Sequence, residues 1–146
     1  RIAPKFPDIV EDLVVIPEHG VIKVNLSQIS SGGGTPLNNF MQKWKVKKKR
    51  YDSIQWALYV EKRTKELSKA KLDSINEYSK RIKTAFMADV RNDIGNNLYN
   101  GVGLILFKTY IYSLPNDFRD KILSKTGDLY FKKDKEIERM IKQNQK

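Results

Sequence analysis

The stretch that decides the fold is Thr35–Tyr51, which reads TPLNNFMQKWKVKKKRY. Threonine can cap the free N–H groups at a helix start, and proline at the first helical position lacks an N–H of its own. Drawn as a helix, the stretch has an apolar face, which consists of Leu37, Phe40, Met41, Trp44 and Tyr51. We therefore predict an amphipathic helix that begins at this threonine-proline pair.

The same helix carries a dense run of cations. Six of the eight residues from Lys43 to Arg50 are lysine or arginine. Lys43 and Arg50 flank the apolar face on one side, and Lys45 and Lys49 flank it on the other. The apolar face can therefore be buried while cations project from both of its flanks.

The positive charge of the whole chain is concentrated in its middle third. The chain of 146 residues has a net charge of +11. Residues 1–34 contribute −1 and residues 84–146 contribute +3, whereas residues 35–83 hold 14 Lys+Arg against 5 Asp+Glu and contribute +9. A local excess of this kind indicates a polyanionic partner such as nucleic acid or an anionic lipid surface.

Length and composition predict one structural domain with an N-terminal arm. Hydrophobic residues make up 40% of the chain, which is enough to form a core. The longest purely apolar run, Leu104–Phe107, is far shorter than the roughly 18–20 residues that cross a bilayer. We divide the chain into an arm with a glycine-rich joint (1–34), basic helices (35–93) and a C-terminal helical bundle (94–146).

Two interpretations of the arm stay open. Leu13–Ile16 and Val21–Leu26 are β-prone and are separated by a short turn-like segment, which favours a β-hairpin. An extended arm laid on a neighbour would need the same apolar residues. Residues 30–34, which read SSGGG, are expected to form a flexible joint.

The remainder of the chain has an all-α pattern. From Asp52 no proline or glycine occurs before Gly95, and apolar residues recur at three- and four-residue spacing, which predicts one long helix or two in line with a break near 71–74. Residues 94–114 are expected to be helical, with a strand over 102–112 as the alternative. Shorter helices are predicted near 117–124 and 134–142.

Most kinds of catalytic site are excluded because the chain lacks the residues that they need. The chain has one histidine, His19, and no cysteine, so thiolate zinc sites and Cys/His dyads are excluded. The glycines at 32–34 lack the lysine and hydroxyl residue that complete a phosphate-binding loop. We therefore expect neither an enzyme nor a cofactor or metal site.

The basic helices are predicted to bind the phosphates of double-stranded DNA without reading its sequence, because lysine predominates and no base-reading motif is present. A solvated lysine face and a protein-interaction module with a basic face are the alternatives. The candidate phosphate contacts are Lys43, Lys45, Lys47, Lys48, Lys49, Arg50, Lys62, Arg63, Lys65 and Lys69.

The segment Tyr99–Tyr110, YNGVGLILFKTY, resembles a Tyr-x-Gly-x-Gly segment in the major coat proteins of filamentous archaeal viruses, the rudiviruses and lipothrixviruses. The resemblance implies that Tyr99, Gly101 and Gly103 form a packing motif. It also implies that coat subunits, as homodimers or heterodimers with a second related coat protein, enclose linear duplex DNA in an A-like form within a helical virion. A cellular nucleoid-type DNA-packaging protein is the alternative.

Lipothrixviruses are enveloped, so the resemblance also raises contact with a lipid envelope. Ile137, Met140 and Ile141 fall on one side of the last predicted helix. We favour the simpler interpretation that this side faces the protein core.

Overall fold

The computed structural model describes residues 11–126, 131 and 133–144, and the side chains of Thr126, Ile141 and Asn144 lie outside the description. The described part contains five helices and one two-stranded sheet. The strands are β1 (Lys23–Asn25) and β2 (Ser31–Gly33), and the helices are α1 (Pro36–Thr64), α2 (Lys69–Asn96), α3 (Gly101–Tyr110), α4 (Asn116–Thr126) and α5 (Lys135–Asn144). The predicted mainly helical fold class is confirmed.

The chain divides into two compact units, one that ends at Phe86 and one that begins at Met87. The boundary lies inside α2, whereas the boundaries predicted from the sequence follow residues 34 and 93. The described part of the arm belongs to the same unit as α1 and the first part of α2.

A β-hairpin is present, and β1 lies within the predicted strand Val21–Leu26, but the other strand is not the predicted one. Lys23 pairs with Gly33, Val24 with Gly32 and Asn25 with Ser31 in antiparallel register. The second strand lies in the segment that we predicted to be a flexible joint. Residues 13–16, predicted as a strand of the hairpin, instead bury Leu13 and Ile16 in the first unit.

The arm lies along the first turns of α1 because polar side chains of that helix satisfy its backbone. The Asn38 side chain, which is buried, accepts a hydrogen bond from Ile16 N–H at 2.9 Å and donates one to Ile16 C=O at 2.8 Å. Gln42 Oε1 accepts from Gly32 N–H at 3.0 Å. Residues 13–16 thus lie against the chain's own α1 and are not a strand of the hairpin.

Helices α1 and α2 pack against each other as an antiparallel pair. Tyr51 stacks on Phe86 with ring centroids 4.2 Å apart, and Lys62 Nζ donates to Asn76 Oδ1 at 3.0 Å. Residues further along α1 therefore contact residues nearer the start of α2, as expected for antiparallel helices. The break between the helices lies at residues 65–68 rather than at the predicted 71–74, so the two helices form a hairpin and are not in line.

The second unit is a small apolar core formed by the end of α2 and by α3, α4 and α5. Phe107 and Phe131 are fully buried and meet edge to face at 5.3 Å. Of the predicted helix over 94–114, residues 94–96 end α2 and residues 101–110 form α3, with a turn between them. The strand alternative is wrong. Ile137 is fully buried and Met140 is half-buried, in agreement with the core-facing interpretation of α5 that we favoured. The side chain of Ile141 lies outside the described residues.

At Gly103 the backbone of α3 lies very close to the backbone of the turn that precedes the helix. A Cβ atom at Gly103 would lie 2.0 Å from the carbonyl oxygen of Asn97, so only glycine fits there. Asn100 caps the same helix, because its Oδ1 accepts from Val102 N–H at 2.9 Å. Gly101 is the first residue of α3, and the Tyr99 side chain is 69% exposed. Close packing within the chain is thus observed at Gly103, whereas Tyr99 lies at the surface.

Candidate nucleic-acid interface

Helix α1 carries the main concentration of charge. Its 29 residues hold eight Lys or Arg and two acidic residues, Asp52 and Glu61. Some of its cations bind other groups of the chain, and others are exposed to solvent.

Lys43, Lys47 and Arg50 are exposed and form a stripe on one face of α1, which we call the basic stripe. At 100° per residue the three side chains fall within an arc of about 60°, and they span roughly 10 Å along the helix axis. The arc lies opposite the side where Asn38 and Met41 are buried against the arm. The basic stripe is therefore an outward-facing row of cations on a helix that is held from its other side.

Lys45 is used inside the chain. Its Nζ lies 2.7 Å from Glu11 Oε2 and also donates to the backbone carbonyl of Ser30. The side chain is 23% exposed. Lys45 thus anchors the arm to α1, and its charge is largely balanced by Glu11.

Two further cations in the run are close to acidic groups. Lys48 forms an ion pair with Asp52 one turn further along the helix. Lys49 is exposed, and its charge acts on Glu11 across the flank that the arm covers. The run of lysines is therefore split between two sides of α1, and the arm occupies one of them.

The other predicted cations lie at the far end of the helix pair. Lys62, Arg63, Lys65 and Lys69 are exposed. Lys62 donates to Asn76, and Lys65 lies 4.0 Å from Glu61. These four residues are near the tip of the α1–α2 hairpin, more than 10 residues from the basic stripe along α1.

An exposed aromatic cluster accompanies these cations. Trp56 is 65% exposed and stacks on Tyr59 with ring centroids 5.4 Å apart, and the Arg63 guanidinium lies 5.3 Å from the centre of the Tyr59 ring. Tyr59 lies 18 residues, or five helical turns, after Met41 and therefore on the same face. The arm covers this face at Met41 and leaves it uncovered at Tyr59.

Trp56 is too exposed to belong to the core of this chain. An exposed tryptophan of this kind suits a subunit interface or stacking on bases. Trp44, in contrast, is half-buried on the side of α1 that faces the arm.

Four exposed cations of α2 were not named as candidates, namely Lys71, Lys80, Arg81 and Lys83. Lys80 and Lys83 lie near one face of α2, and Arg81 lies over the Tyr78 ring at 5.3 Å. Their spacing within an uninterrupted helical pattern was the signal that could have found them.

The acidic groups that hold the arm have lowered pKa values. The hydrogen bond from Lys45 lowers the pKa of Glu11 by more than burial raises it. Partial burial raises the pKa of Glu18, but hydrogen bonds from Thr35 and from the backbone N–H groups of Leu37 and Asn38 outweigh that effect and lower it. Both carboxylates are thus stabilised in their charged form by the folded arm.

We expect the arm to loosen in acid. A carboxylate with a lowered pKa contributes full stability above its ordinary value near 4.5, and that contribution is lost as the pH falls through the lower folded value. Hydrogen exchange of the amides of Ser30 and Gly32, corrected for the intrinsic effect of pH, should therefore accelerate below about pH 4.5 relative to the amides of α3. The double variant Glu11→Gln and Glu18→Gln should lose this pH dependence. Equal protection of Ser30 at pH 7 and pH 3 would contradict the assignment.

Known proteins give no identification. No family model, no curated protein and no solved structure matches this chain.

Among the described residues, no cluster of three or more His, Cys, Asp or Glu side chains is arranged to hold a metal ion. Over the same residues, the helices are all too short or too polar to cross a membrane.

Proposed function

We propose that this chain is a major coat protein of a filamentous virus, which binds linear double-stranded DNA through its phosphates and assembles as dimers into a helical virion. The single observation that carries the proposal is the basic stripe of Lys43, Lys47 and Arg50. These side chains are exposed in a row on a rigid helix, whereas a neighbouring cation, Lys45, is used to fix the arm.

The geometry suits phosphate binding better than base reading. Lysine makes up two of the three side chains in the basic stripe, and its ammonium group is a point charge without the planar fork that reads guanine edges. A long helix presenting cations along its axis can follow a backbone of closely spaced charges, and each neutralised phosphate releases counterions. Binding is thus independent of sequence and falls with salt.

Electron microscopy of the protein mixed with linear duplex DNA tests this proposal. We expect ordered filaments of constant diameter, and the affinity in solution should fall with a slope near −0.9 per phosphate contact in a plot of log K against log salt. Reversible binding without ordered filaments would indicate a nucleoid-type packaging protein instead. No affinity for duplex DNA at low salt would favour a protein-interaction module.

A further inference from the structure

Among the described residues, no second strand pairs with the outer edge of β1. Side chains of α1 cover the outer edge of β2, since Gly32 N–H donates to Gln42 and Gly34 N–H donates to Asn39 Oδ1, each at 3.0 Å. Residues of a strand alternate in direction, so Val24, which pairs with Gly32, points its N–H and C=O away from β2. All three residues of β1 are exposed. Within the described part of the chain, β1 therefore has an exposed backbone edge that is not paired with another strand.

Aliphatic side chains are concentrated at this edge. Val21, Val24, Leu26 and Ile29 are 73%, 46%, 44% and 64% exposed. They are four of the seven large aliphatic residues that are exposed in the described part of the chain, and they lie within nine residues. Such a cluster beside an open strand edge is typical of a surface that pairs with another strand.

Charge points to a second copy of this chain as the partner. Residues 20–34 contain a single charged side chain, Lys23, in a chain with a net charge of +11. Two copies repel each other mainly through their basic helices, and the hairpin edge is a place where they can approach with little repulsion.

The register of such a pair follows from the sequence. Antiparallel pairing about a two-fold axis can bring Val24 opposite Val24 of the second copy, so that Lys23 faces Asn25 and Ile22 faces Leu26. A register shifted by one residue on each strand would place the two Lys23 side chains opposite each other, which is unfavourable. A short edge strand that contains lysine ordinarily resists pairing, and only a register that separates the lysines removes that obstacle.

We propose that β1 pairs with β1 of a second copy, centred on Val24, to form a four-stranded antiparallel sheet that joins two subunits. The pairing uses residues outside the basic stripe, so it does not depend on DNA binding and is tested without DNA.

Cross-linking at a single cysteine tests the proposal, because the chain contains no cysteine of its own. In the proposed register two Val24→Cys side chains start from Cα atoms about 5.5 Å apart, within reach of a short bis-maleimide. The matched control is Val21→Cys, which is more exposed but whose two copies would be separated by roughly 20 Å along the strands. Circular dichroism establishes that both variants keep the helical content of the parent.

We expect Val24→Cys to form covalent dimers on the order of 10-fold faster than Val21→Cys, because pairing holds the two thiols at a high effective concentration. Dimers that form at equal rates in the two variants, or more slowly at position 24, would overturn the proposal. The cross-linking rates do not depend on DNA binding, which is measured separately from its salt dependence.

Discussion

Replacing Lys43, Lys47 and Arg50 together with glutamate is expected to lower the affinity for duplex DNA by roughly 10²–10³-fold at 0.1 M salt. Each phosphate contact contributes about 0.9 to the slope of log K against log salt, so the loss of three contacts should reduce the magnitude of the slope by about 2.7. Fluorescence anisotropy with a labelled duplex over a range of salt concentrations measures both quantities. The three side chains are exposed, so the helical content should not change.

A charge-matched variant separates the basic stripe from the net charge. The triple variant Lys121→Glu, Lys125→Glu and Lys142→Glu changes three exposed cations of the second unit and also lowers the net charge from +11 to +5. It should retain most of the affinity and nearly the full slope. An equal loss in both triple variants would show that net charge, and not the basic stripe, governs binding.

Gly103→Ala is expected to destabilise the protein by about 3 kcal/mol or more. The new methyl group would lie 2.0 Å from the backbone carbonyl oxygen of Asn97, and backbone cannot move aside as a flexible side chain can. Relief of the clash would separate α3 from the turn that precedes it, in a unit where Val102, Leu106 and Phe107 are fully buried. Urea unfolding followed by circular dichroism measures the change.

Gly95→Ala is the matched control for that experiment. Gly95 lies within α2, and no atom lies within 4 Å of the position that its Cβ would take. Alanine there should increase stability by up to about 1 kcal/mol, because glycine weakens a helix through its conformational freedom. If the two alanine variants had similar free energies of unfolding, the close contact with Asn97 would not be the reason for glycine at position 103.

The helices could be predicted from the sequence because their signals are local. The proline at the start of α1, the absence of proline and glycine up to Gly95, and the three- and four-residue spacing of apolar residues each act within a few turns. The Thr35 side chain makes no capping hydrogen bond, and Glu18 accepts from the first free N–H groups instead. A glycine in a helix did not by itself indicate close packing, because a Cβ atom at Gly103 would meet the carbonyl oxygen of Asn97, whereas no atom lies within 4 Å of the Cβ position of Gly95.

The hairpin could not be predicted in its correct register. The SSGGG segment has the composition of a flexible joint, and its strand geometry depends on Gln42 and Asn39 of α1 accepting its N–H groups. Leu13 and Ile16 look like strand residues, but the side chain of Asn38 binds their segment in another way. Contacts between residues about 10–25 positions apart therefore decided the arm's conformation.

In the candidate site, too, some features follow from the sequence alone and others depend on tertiary contacts. The sequence by itself determined that positive charge is concentrated on one amphipathic helix, because composition and helical periodicity are properties of the chain alone. Only the tertiary structure decided which cations face outward: the arm is folded onto one flank of α1, where Lys45 is paired with Glu11, and the basic stripe is exposed on the opposite side. An ion pair between residues 34 positions apart has no local signal, since it forms only after the chain has folded back on itself.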